Sequence, residues 1–581
     1  PLGGPVSETN VLTPPGADRL FFRVSGSAGS GISPEEAAMR ATMAAVGAFV
    51  DGVPRDDVVR WRADILTFLR GRADIDSAGE SEDGVWAITT DGIPMSIWNN
   101  RPADPPLDEG RLPQIARAGT SIPGNRTARF AVTVGAGFRQ AAPALSRLMS
   151  GAGYSPGFDA APLESFKGVR NESVLFFNTH GGSFFIPLYE ADGKPRRNAQ
   201  GKILYEAHYG LWTGTKIDPT KTDISYRHDE FVAELKAKRL GVALAPASYV
   251  TLTGGFQSPV TEWRFGITAA WIRHYMSFPA ENHASVWLGA CQSGSSFSAP
   301  LRAAFRDVGA EMVSGWTRDV NGDAVLNATS FLYDRLLGAN KIVPPATPQR
   351  PFDYENSWNE LRSRGLHRYP TKDDKGQPTT TDIIYEGVSG DTKFGLFAPS
   401  IAYVLVDERS RQLQLIGLFG NPPADKRQVT VGGAEAAIVS WSPRKVECTL
   451  DSEGPGSAGD VQVIVQGIKS NVRQITRWTL VGTYNMKDEW TPHQIDGNLS
   501  LVFRADIGEY RLVPGNVFIR PKRFAEAAQH SDIQLEAKGT DSIPCDQGDS
   551  RVIWLGSGPF PSAEDEAPAS TISILAVDTI L

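Results

Sequence analysis

Short runs of apolar residues, each followed by small or polar residues, recur through the middle of the chain. Two of them, Val174–Phe177 and Val286–Leu288, are too short for helices and are typical of strands buried on both faces. Between such runs lie segments with apolar residues at helical spacing, for example Gln140–Met149 and Ala324–Leu337. Alternating strands and helices favour a mostly parallel sheet flanked by helices, so we predict an α/β domain over residues 126–410.

The chain ahead of this domain has a different pattern. Residues 33–36, Ser-Pro-Glu-Glu, supply a helix cap, a first-turn proline and a capping-box glutamate, and a helix is predicted over Ala37–Val50. A second helix is predicted over Pro54–Leu69 and a β-hairpin over Gly84–Trp98. These elements predict a small helical and β-hairpin region over residues 1–125, which ends in a linker rich in Pro, Gly and Arg.

From about Gln412 the helical pattern stops, and short β segments recur with turns between them. Examples are Leu413–Gly420, Gln428–Gly433, Ile438–Ser442 and Gly459–Val465. This spacing predicts an all-β sandwich over residues 411–480. The β pattern continues to the end, which predicts a further β domain over residues 481–581.

The amino-acid composition and net charge limit the kinds of molecule that the chain is expected to bind. Hydrophobic residues make up 41% and charged residues 21% of the chain, as in ordinary globular proteins. The net charge of −8 is spread along the chain, so neither nucleic acid nor an anionic membrane is predicted as a partner. No apolar run reaches the ~18 residues of a membrane span.

Metal and cofactor motifs are not found. The chain has no zinc-type cluster of Cys and His and no phosphate-binding glycine loop, so no cofactor is predicted. Asp319-x-Asn321-x-Asp323 has the first spacings of a calcium loop. Because Ser330 stands where such a loop needs a glutamate, this stretch is interpreted as a turn.

Two candidate catalytic residues follow the apolar runs of the predicted parallel sheet. His180 comes after one run and precedes Gly181 and Gly182, and Cys291 comes after the other. Because the carboxyl ends of parallel strands share one edge of a sheet, both side chains are expected there. An imidazole can take up the proton of a thiol and leave a nucleophilic thiolate. The amides of Cys291 and of Gly181 or Gly182 are candidate donors to the oxyanion formed on a carbonyl substrate.

Each of these residues alone is weak evidence. A lone buried cysteine is more often inert, and a histidine before two glycines is more often a turn residue. Other histidines lie in the same region: His208, His228, His274 and His283. A base has to reach the thiol from a neighbouring strand, which favours His180.

The two motifs together resemble the caspase-like cysteine peptidases of clan CD, a group that includes caspases, metacaspases, clostripain-like enzymes and CHAT domains. Asn178-Thr179-His180-Gly181-Gly182 is similar to the histidine motif, and Leu288-Gly289-Ala290-Cys291-Gln292-Ser293-Gly294 is similar to the CHAT-like cysteine motif. The resemblance covers about residues 126–345. It implies a caspase-like fold and a cysteine endopeptidase that acts on a protein or peptide, with His180 as general base and Cys291 forming a thioester acyl-enzyme.

The sequence departs from that family in two ways. The separation of His180 and Cys291 is more than twice the roughly 50 residues of caspases, and a hairpin predicted at 183–216 accounts for part of it. Gly289 stands where metacaspases carry an aspartate that reads a basic side chain, so a preference for Lys or Arg is not implied. Other side chains are candidates for substrate recognition: the acids Asp218, Asp223, Glu262 and Asp319, or the bases Arg264 and Arg318.

The motifs of residues 411–478 look like the immunoglobulin-like IPT/TIG fold. Gly-x-Phe-Gly, Val-x-Val-Gly-Gly, Ser440-Trp441-Ser442 and Gly-Asp-Val-x-Val follow in that order. Such domains usually bind other proteins or act as spacers between domains, which implies a protein partner for the β domains. The alternative function is therefore a catalytically inactive caspase-like scaffold that binds proteins through its β-sandwiches. A non-peptidase thiol hydrolase or transferase is a third class.

The remaining cysteines bear on location. Cys448 and Cys545 either pair as one disulfide or are two separate thiols. A disulfide, together with the TIG-like region, favours a secreted or periplasmic location over a cytoplasmic one, and the location stays open.

Overall fold

Strands and helices alternate through the first two thirds of the chain, and strands dominate the remainder. In a computed structural model the described residues are 33–55, 57–99, 121–135, 138, 140–217, 228–251, 257–339, 341–342, 354–373, 376–387, 396–407, 411–452, 455–457, 459–487, 492–504, 509–513, 518–521, 533–538, 541–545, 548–558 and 573–579. Asp218 and Asp223, both candidates for substrate recognition, lie outside them.

The helices lie close to the segments with helical spacing. They are α1 Pro34–Gly52, α2 Val58–Arg70, α3 Ala142–Gly151, α4 Leu163–Lys167, α5 His228–Lys236, α6 Ala269–Tyr275, α7 Ala299–Asp307, α8 Gly322–Leu336 and α9 Tyr354–Ser363. The predicted cap of α1 is confirmed, because the Glu36 amide donates to Ser33 Oγ at 3.1 Å. No helix of the described residues is long and apolar enough to cross a membrane.

The strands are more numerous than the sequence pattern predicts. They are β1 Ile75–Ser81, β2 Gly84–Thr89, β3 Pro94–Trp98, β4 Thr127–Val132, β5 Ser155–Asp159, β6 Val174–Asn178, β7 Gly181–Pro187, β8 Tyr205–Ile217, β9 Leu240–Thr251, β10 Gln257–Thr268, β11 Ser285–Gly289, β12 Met312–Trp316, β13 Arg368–Lys372, β14 Pro378–Gly387, β15 Ser400–Asp407, β16 Gln412–Leu418, β17 Arg427–Val431, β18 Ala434–Glu435, β19 Ala437–Trp441, β20 Lys445–Thr449, β21 Gly459–Val465, β22 Ile468–Lys469, β23 Arg473–Lys487, β24 Pro492–Arg504, β25 Glu509–Val513, β26 Phe518–Pro521, β27 Ile533–Lys538, β28 Asp541–Cys545, β29 Gly548–Gly558 and β30 Ser573–Thr579.

One mixed sheet, here called the central sheet, has the order β13-β14-β12-β11-β6-β4-β5. The strands from β5 to β12 are parallel to their neighbours, whereas β14 and β13 are antiparallel additions. Successive side chains of β6 and β11 point to opposite faces, and both faces are buried. Phe176 and Trp287 pack with α3 and α8, and Phe177 and Leu288 pack into the other apolar core.

A second mixed sheet, the flanking sheet, has the order β1-β2-β3-β9-β10-β8-β7. Strands of the leading region therefore share a sheet with the segment that follows β6. They join because Ser96 and Ile97 of β3 pair in parallel with Ala243 and Leu244 of β9. The predicted boundary near residue 125 stays a prediction, but the hairpin of residues 84–98 does not form a sheet of its own.

The C-terminal part is β-rich, as predicted. One sheet has the order β15-β16-β20-β19, and the facing sheet begins β18-β17-β21-β23. Buried residues of both, such as Leu415 and Val463, share an apolar core. β15 pairs with β16 and so belongs to the β-rich C-terminal part, whereas β14 lies beside β12 in the central sheet.

Cys448 is a buried free thiol in β20. The side chain of Cys545 lies outside the part of the structure that is described, so the suggested disulfide and the location argument that rests on it stay predictions. The described fold is mixed and mostly β. Its β-rich C-terminal part agrees with the predicted fold class, whereas the caspase-like form of the α/β domain stays a prediction.

Three glycines make room for one aromatic ring in the flanking sheet. A Cβ at Gly241 or at Gly266 would overlap the Phe184 ring, and one at Gly210 would lie 2.6 Å from it. The ring also meets Trp98 at a centroid distance of 5.1 Å. Phe184 thereby anchors β7 against three strands.

We expect Gly266→Ala to destabilise the protein by about 1–3 kcal/mol, because the added methyl group overpacks this ring. The measurement is the midpoint of thermal unfolding. Gly52→Ala is the matched control, because no atom lies within 4 Å of the position of its added carbon. Equal midpoints for the two variants would contradict the packing role of Phe184.

Candidate active site

The structure places the backbones of the two candidate catalytic residues at the ends of neighbouring strands. Gly289 of β11 pairs with Asn178 of β6, and the Thr179 amide donates to the Gly289 carbonyl at 3.2 Å. A Cβ on Gly181 would lie 2.9 Å from the Cys291 carbonyl oxygen. His180 therefore ends one strand directly next to the turn that follows the other, as the sequence pattern predicts.

The turn after Cys291 is fixed by polar contacts. Ser293 Oγ donates to the Ala290 carbonyl at 2.7 Å and accepts from the Trp316 amide at 3.0 Å, which ties the turn to β12. Arg302 Nη1 donates to the Ser293 carbonyl at 2.8 Å. The backbone of Gly315 approaches closely, because a Cβ there would lie 2.6 Å from the same carbonyl oxygen. The turn is therefore a rigid platform for the thiol.

Gly289 has no space for a side chain. A Cβ there would lie 2.8 Å from the Phe177 carbonyl oxygen and 2.9 Å from Val325 Cγ1. An acid at this position, as in metacaspases, does not fit this backbone. Any acid that reads a substrate must come from elsewhere.

Gln292 is strained and was not singled out in the sequence. Its φ is 56°, in the left-handed region that side chains other than glycine rarely adopt. Its amide donates to the Arg318 carbonyl at 2.9 Å, and its carbonyl accepts from Ser298 Oγ at 2.7 Å. Backbone strain of this kind clusters at functional sites. The only sequence signal is its place directly after the cysteine.

The Cys291 thiol is buried, with 8% of the residue exposed. The Val320 amide donates to Sγ at 3.4 Å. Burial raises the pKa of the thiol well above its usual value, and the nearby carboxylates of Asp319 and Asp83 raise that pKa further. In this conformation the thiol is protonated at neutral pH.

The imidazole of His180 is oriented by a backbone carbonyl. Its Nε2 lies 2.7 Å from Pro246 O. Because a carbonyl only accepts, Nε2 carries the proton and Nδ1 is the basic nitrogen. The rings of Phe138 and Trp212 enclose the imidazole at 5.2 Å. Burial lowers the His180 pKa to about 4, and the charge of Arg264 lowers it further, so the ring is neutral.

The other histidines of the region are placed elsewhere. His208 Nε2 lies 3.0 Å from a Glu206 oxygen, and His283 Nδ1 lies 2.8 Å from a Glu311 oxygen. The His274 ring packs against Tyr275 in α6, and His228 begins α5. These positions leave His180 as the candidate base.

A carboxylate from the leading region reaches the site. Asp83 lies in the turn between β1 and β2, and its Oδ2 accepts from the Ser183 amide at 2.7 Å and from Ser183 Oγ at 2.8 Å. Its Oδ1 is buried and has no hydrogen-bond partner among the described residues. Burial raises the pKa of Asp83 to about 7, and the charge of Asp319 adds to the rise.

Asp319 is the second carboxylate whose charge acts on the thiol. It precedes Val320, and its Oδ1 accepts from Gln292 Nε2 at 3.3 Å. Burial raises its pKa to about 6, with a further contribution from Glu82. We call Asp83, Asp319 and Gln292 the acidic recess. Sequence reasoning singled out Asp319 but missed Asp83, because no local pattern links it to Ser183.

The remaining basic and acidic candidates do not join the site. Arg264 Nη1 donates to the Thr133 carbonyl at 2.7 Å, and Glu262 pairs with Arg264 and Lys216. The Arg318 side chain is exposed. No group of three or more potential metal ligands is found among the described residues.

The predicted oxyanion donors are only partly in position. Gly181 and Gly182 belong to β7 and face Leu211 and Gly210 of β8. The Cys291 amide donates to no backbone carbonyl of the described residues, while the Tyr209 hydroxyl donates to the Cys291 carbonyl. Cys291 is thus the donor that the geometry supports best.

Comparisons with known proteins do not identify a family. No family model and no curated protein matches the chain. The gamma-CGTase of alkalophilic Bacillus clarkii is 11% identical over 31% of this chain and 31% of its own, with a TM-score of 0.13. A Bacteroides thetaiotaomicron protein named as a phosphatase is 12% identical over 28% of this chain and 45% of its own, with a TM-score of 0.10. At such TM-scores neither similarity bears on fold or function.

We expect Asp83→Asn to stabilise the protein more at pH 8.5 than at pH 5. The pKa of Asp83 is raised from 3.8 to about 7, so stability is present at low pH and is lost as the pH rises through 7. Asparagine keeps the acceptor for Ser183 and carries no charge. The measurement is the difference in melting temperature between variant and wild type at the two pH values.

Asp425→Asn, in which an exposed carboxyl is changed, is the control and should show no such pH dependence. A constant difference between Asp83→Asn and wild type across this range would contradict the buried, proton-binding state of Asp83.

Proposed function

We propose that the chain is a caspase-like cysteine endopeptidase in which His180 is the general base and Cys291 the nucleophile. The observation that carries the proposal is their position at the ends of the neighbouring parallel strands β6 and β11, with Nε2 of the imidazole bound to Pro246 O. Across the sheet, the parallel strands lie in the order β5, β4, β6, β11, β12. His180 follows β6 and Cys291 follows β11. Ligand sites of open α/β sheets form at such strand ends.

The chemistry follows from the tautomer. His180 Nδ1 takes the proton of the Cys291 thiol, and the thiolate attacks the scissile carbonyl carbon. The Cys291 amide donates to the resulting oxyanion. The imidazolium gives its proton to the leaving amine, and the C–N bond breaks to leave a thioester. Water, deprotonated by the same nitrogen, then hydrolyses the thioester and releases the carboxylate product.

In this proposal the observed arrangement is the resting form of the enzyme. The imidazole and the thiol are both neutral and are only 4% and 8% exposed. The flanking sheet covers them, since Tyr209 of β8 holds the Cys291 carbonyl and Pro246 of β9 holds His180. A substrate has to displace part of this cover before its carbonyl reaches Sγ.

The acidic recess supports a preference for Lys or Arg before the cleaved bond. The charges of Asp83 and Asp319 both act on Cys291. Asp83 Oδ1 and Gln292 Oε1 are buried acceptors with no partner among the described residues. An ammonium or guanidinium group would satisfy these acceptors and balance the two carboxylates. Gly289 lacks the carboxylate that metacaspases carry at this position. In the proposal, Asp83 and Asp319 of the acidic recess supply carboxylates instead.

The test is cleavage of a peptide library by wild type, Cys291→Ala and His180→Ala. We expect Cys291→Ala to abolish cleavage and His180→Ala to lower kcat/KM by about 10²–10⁴-fold. Cys448→Ala and His208→Ala are matched controls that keep full activity. Cleavage that survives in Cys291→Ala would rule out this nucleophile.

The same library tests the acidic recess. We expect cuts after Lys or Arg, and a kcat/KM that rises between pH 5.5 and 8 as Asp319 and Asp83 lose their protons. Asp319→Asn should lower kcat/KM for basic substrates by about tenfold, the effect of losing one charged contact. A preference for acidic or apolar residues in wild type would exclude this role.

An inactive binding scaffold is the second candidate function. The observation that favours it is the burial of His180 and Cys291 in their neutral forms beneath the flanking sheet. In that case the β-sandwich is the working surface, and Cys291→Ala has no effect on the protein's role in cells. Full loss of that role in Cys291→Ala would exclude the scaffold.

A further inference from the structure

A cavity of about 750 Å³ lies between the helices of the central sheet and the C-terminal sandwich. Its walls come from α3, from the end of α8 and the residues after it, and from β21 to β23. The volume falls within the ~300–1,000 Å³ typical of small-molecule sites.

The charged residues that line the cavity are all cations. Arg147 comes from α3, Lys341 follows α8, Lys469 ends β22 and Arg473 begins β23. No acidic residue is among the described residues that line it. Like charges drawn from four separate segments repel one another, in a chain whose net charge is −8. An anion between them would turn this repulsion into attraction.

A neutral donor completes the cavity. Ser330 of α8 is 8% exposed, and its hydroxyl has no hydrogen-bond partner among the described residues. Buried hydroxyls are nearly always paired, with the protein, with water or with a ligand. A hydroxyl and four cationic side chains line the cavity, and hydrogen-bond donors of this kind match the oxygens of an oxyanion.

The wall on the sandwich side is held in place. The Lys469 amide donates to the Ala152 carbonyl at 2.9 Å, and a Cβ on Gly153 would lie 2.5 Å from the Gly467 carbonyl oxygen. Arg473 Nε donates to the Ile401 carbonyl at 3.3 Å, which fixes the base of its guanidinium. The backbone segments that carry these cations are therefore already in contact, and the site is largely preformed.

We propose that this cavity binds a phosphorylated small molecule with at least two phosphate groups. Guanidinium and ammonium groups are the usual partners of phosphate, and four of them balance the charge of a diphosphate. Arg147 and Lys341 grip the ligand from the helical side, and Lys469 and Arg473 from the sandwich side. Binding here does not require any chemistry at Cys291.

The test is calorimetric titration of the full chain with inorganic pyrophosphate and with adenosine diphosphate, at 150 mM salt. We expect saturable one-site binding of one or both probes by wild type. The double variant R147Q/K469Q should weaken it by at least about tenfold, because two charge-assisted contacts are lost. K426Q/R444Q is the matched control, since it removes one lysine and one arginine on exposed parts of the same sandwich.

Comparison of the two probes distinguishes a nucleotide ligand from recognition of phosphate groups alone. Tighter binding of adenosine diphosphate than of pyrophosphate supports a nucleotide, and equal binding supports phosphate recognition alone. S330A removes no charge and should weaken binding by about threefold to tenfold. It is therefore the replacement test if R147Q/K469Q fails to fold. Three results would overturn the proposal: no binding of either probe at millimolar concentration, equal weakening in both double variants, or unchanged binding in both R147Q/K469Q and S330A.

Discussion

The parallel pairing of β6 with β11 is the constraint on which the candidate site depends. It aligns Asn178 with Gly289, so that His180 and Cys291 leave the sheet at one edge. The pairing is stabilised by apolar side chains on both faces, such as Phe176 and Trp287 on one side. Gly289 can only be glycine there, because the Phe177 carbonyl and Val325 occupy the space of a side chain. The backbone that brings the pair together therefore also excludes an acid from that position.

The flanking sheet adds the second layer of the site. Its strands supply the carbonyl that orients His180, the hydroxyl of Tyr209 on the Cys291 carbonyl, and Ser183, which binds Asp83. The same cover desolvates the imidazole and the thiol and keeps both neutral. In the proposed enzyme, this cover both protects the pair and holds it inactive. Activation there requires a change in the flanking sheet, while the central sheet and the turn held by Ser293 stay as they are.

Much of the central sheet could be predicted, because continuous apolar runs and strand-end residues are local signals. Asp83 could not, since its role depends on Ser183 in a strand that pairs with distant partners. The same limit applies to the flanking sheet, whose strand β3 of the leading region pairs with the distant strand β9.

The most direct test of the account is labelling of the folded protein with a peptide that carries a thiol-directed electrophile after a Lys residue. Peptide mass spectrometry locates the adduct, before and after limited proteolysis that opens the flanking sheet. We expect one adduct, on Cys291, formed faster after opening and lost in His180→Ala, with Cys448 unmodified. No adduct on Cys291 in either form, or labelling that proceeds equally without His180, would contradict a histidine-activated nucleophile.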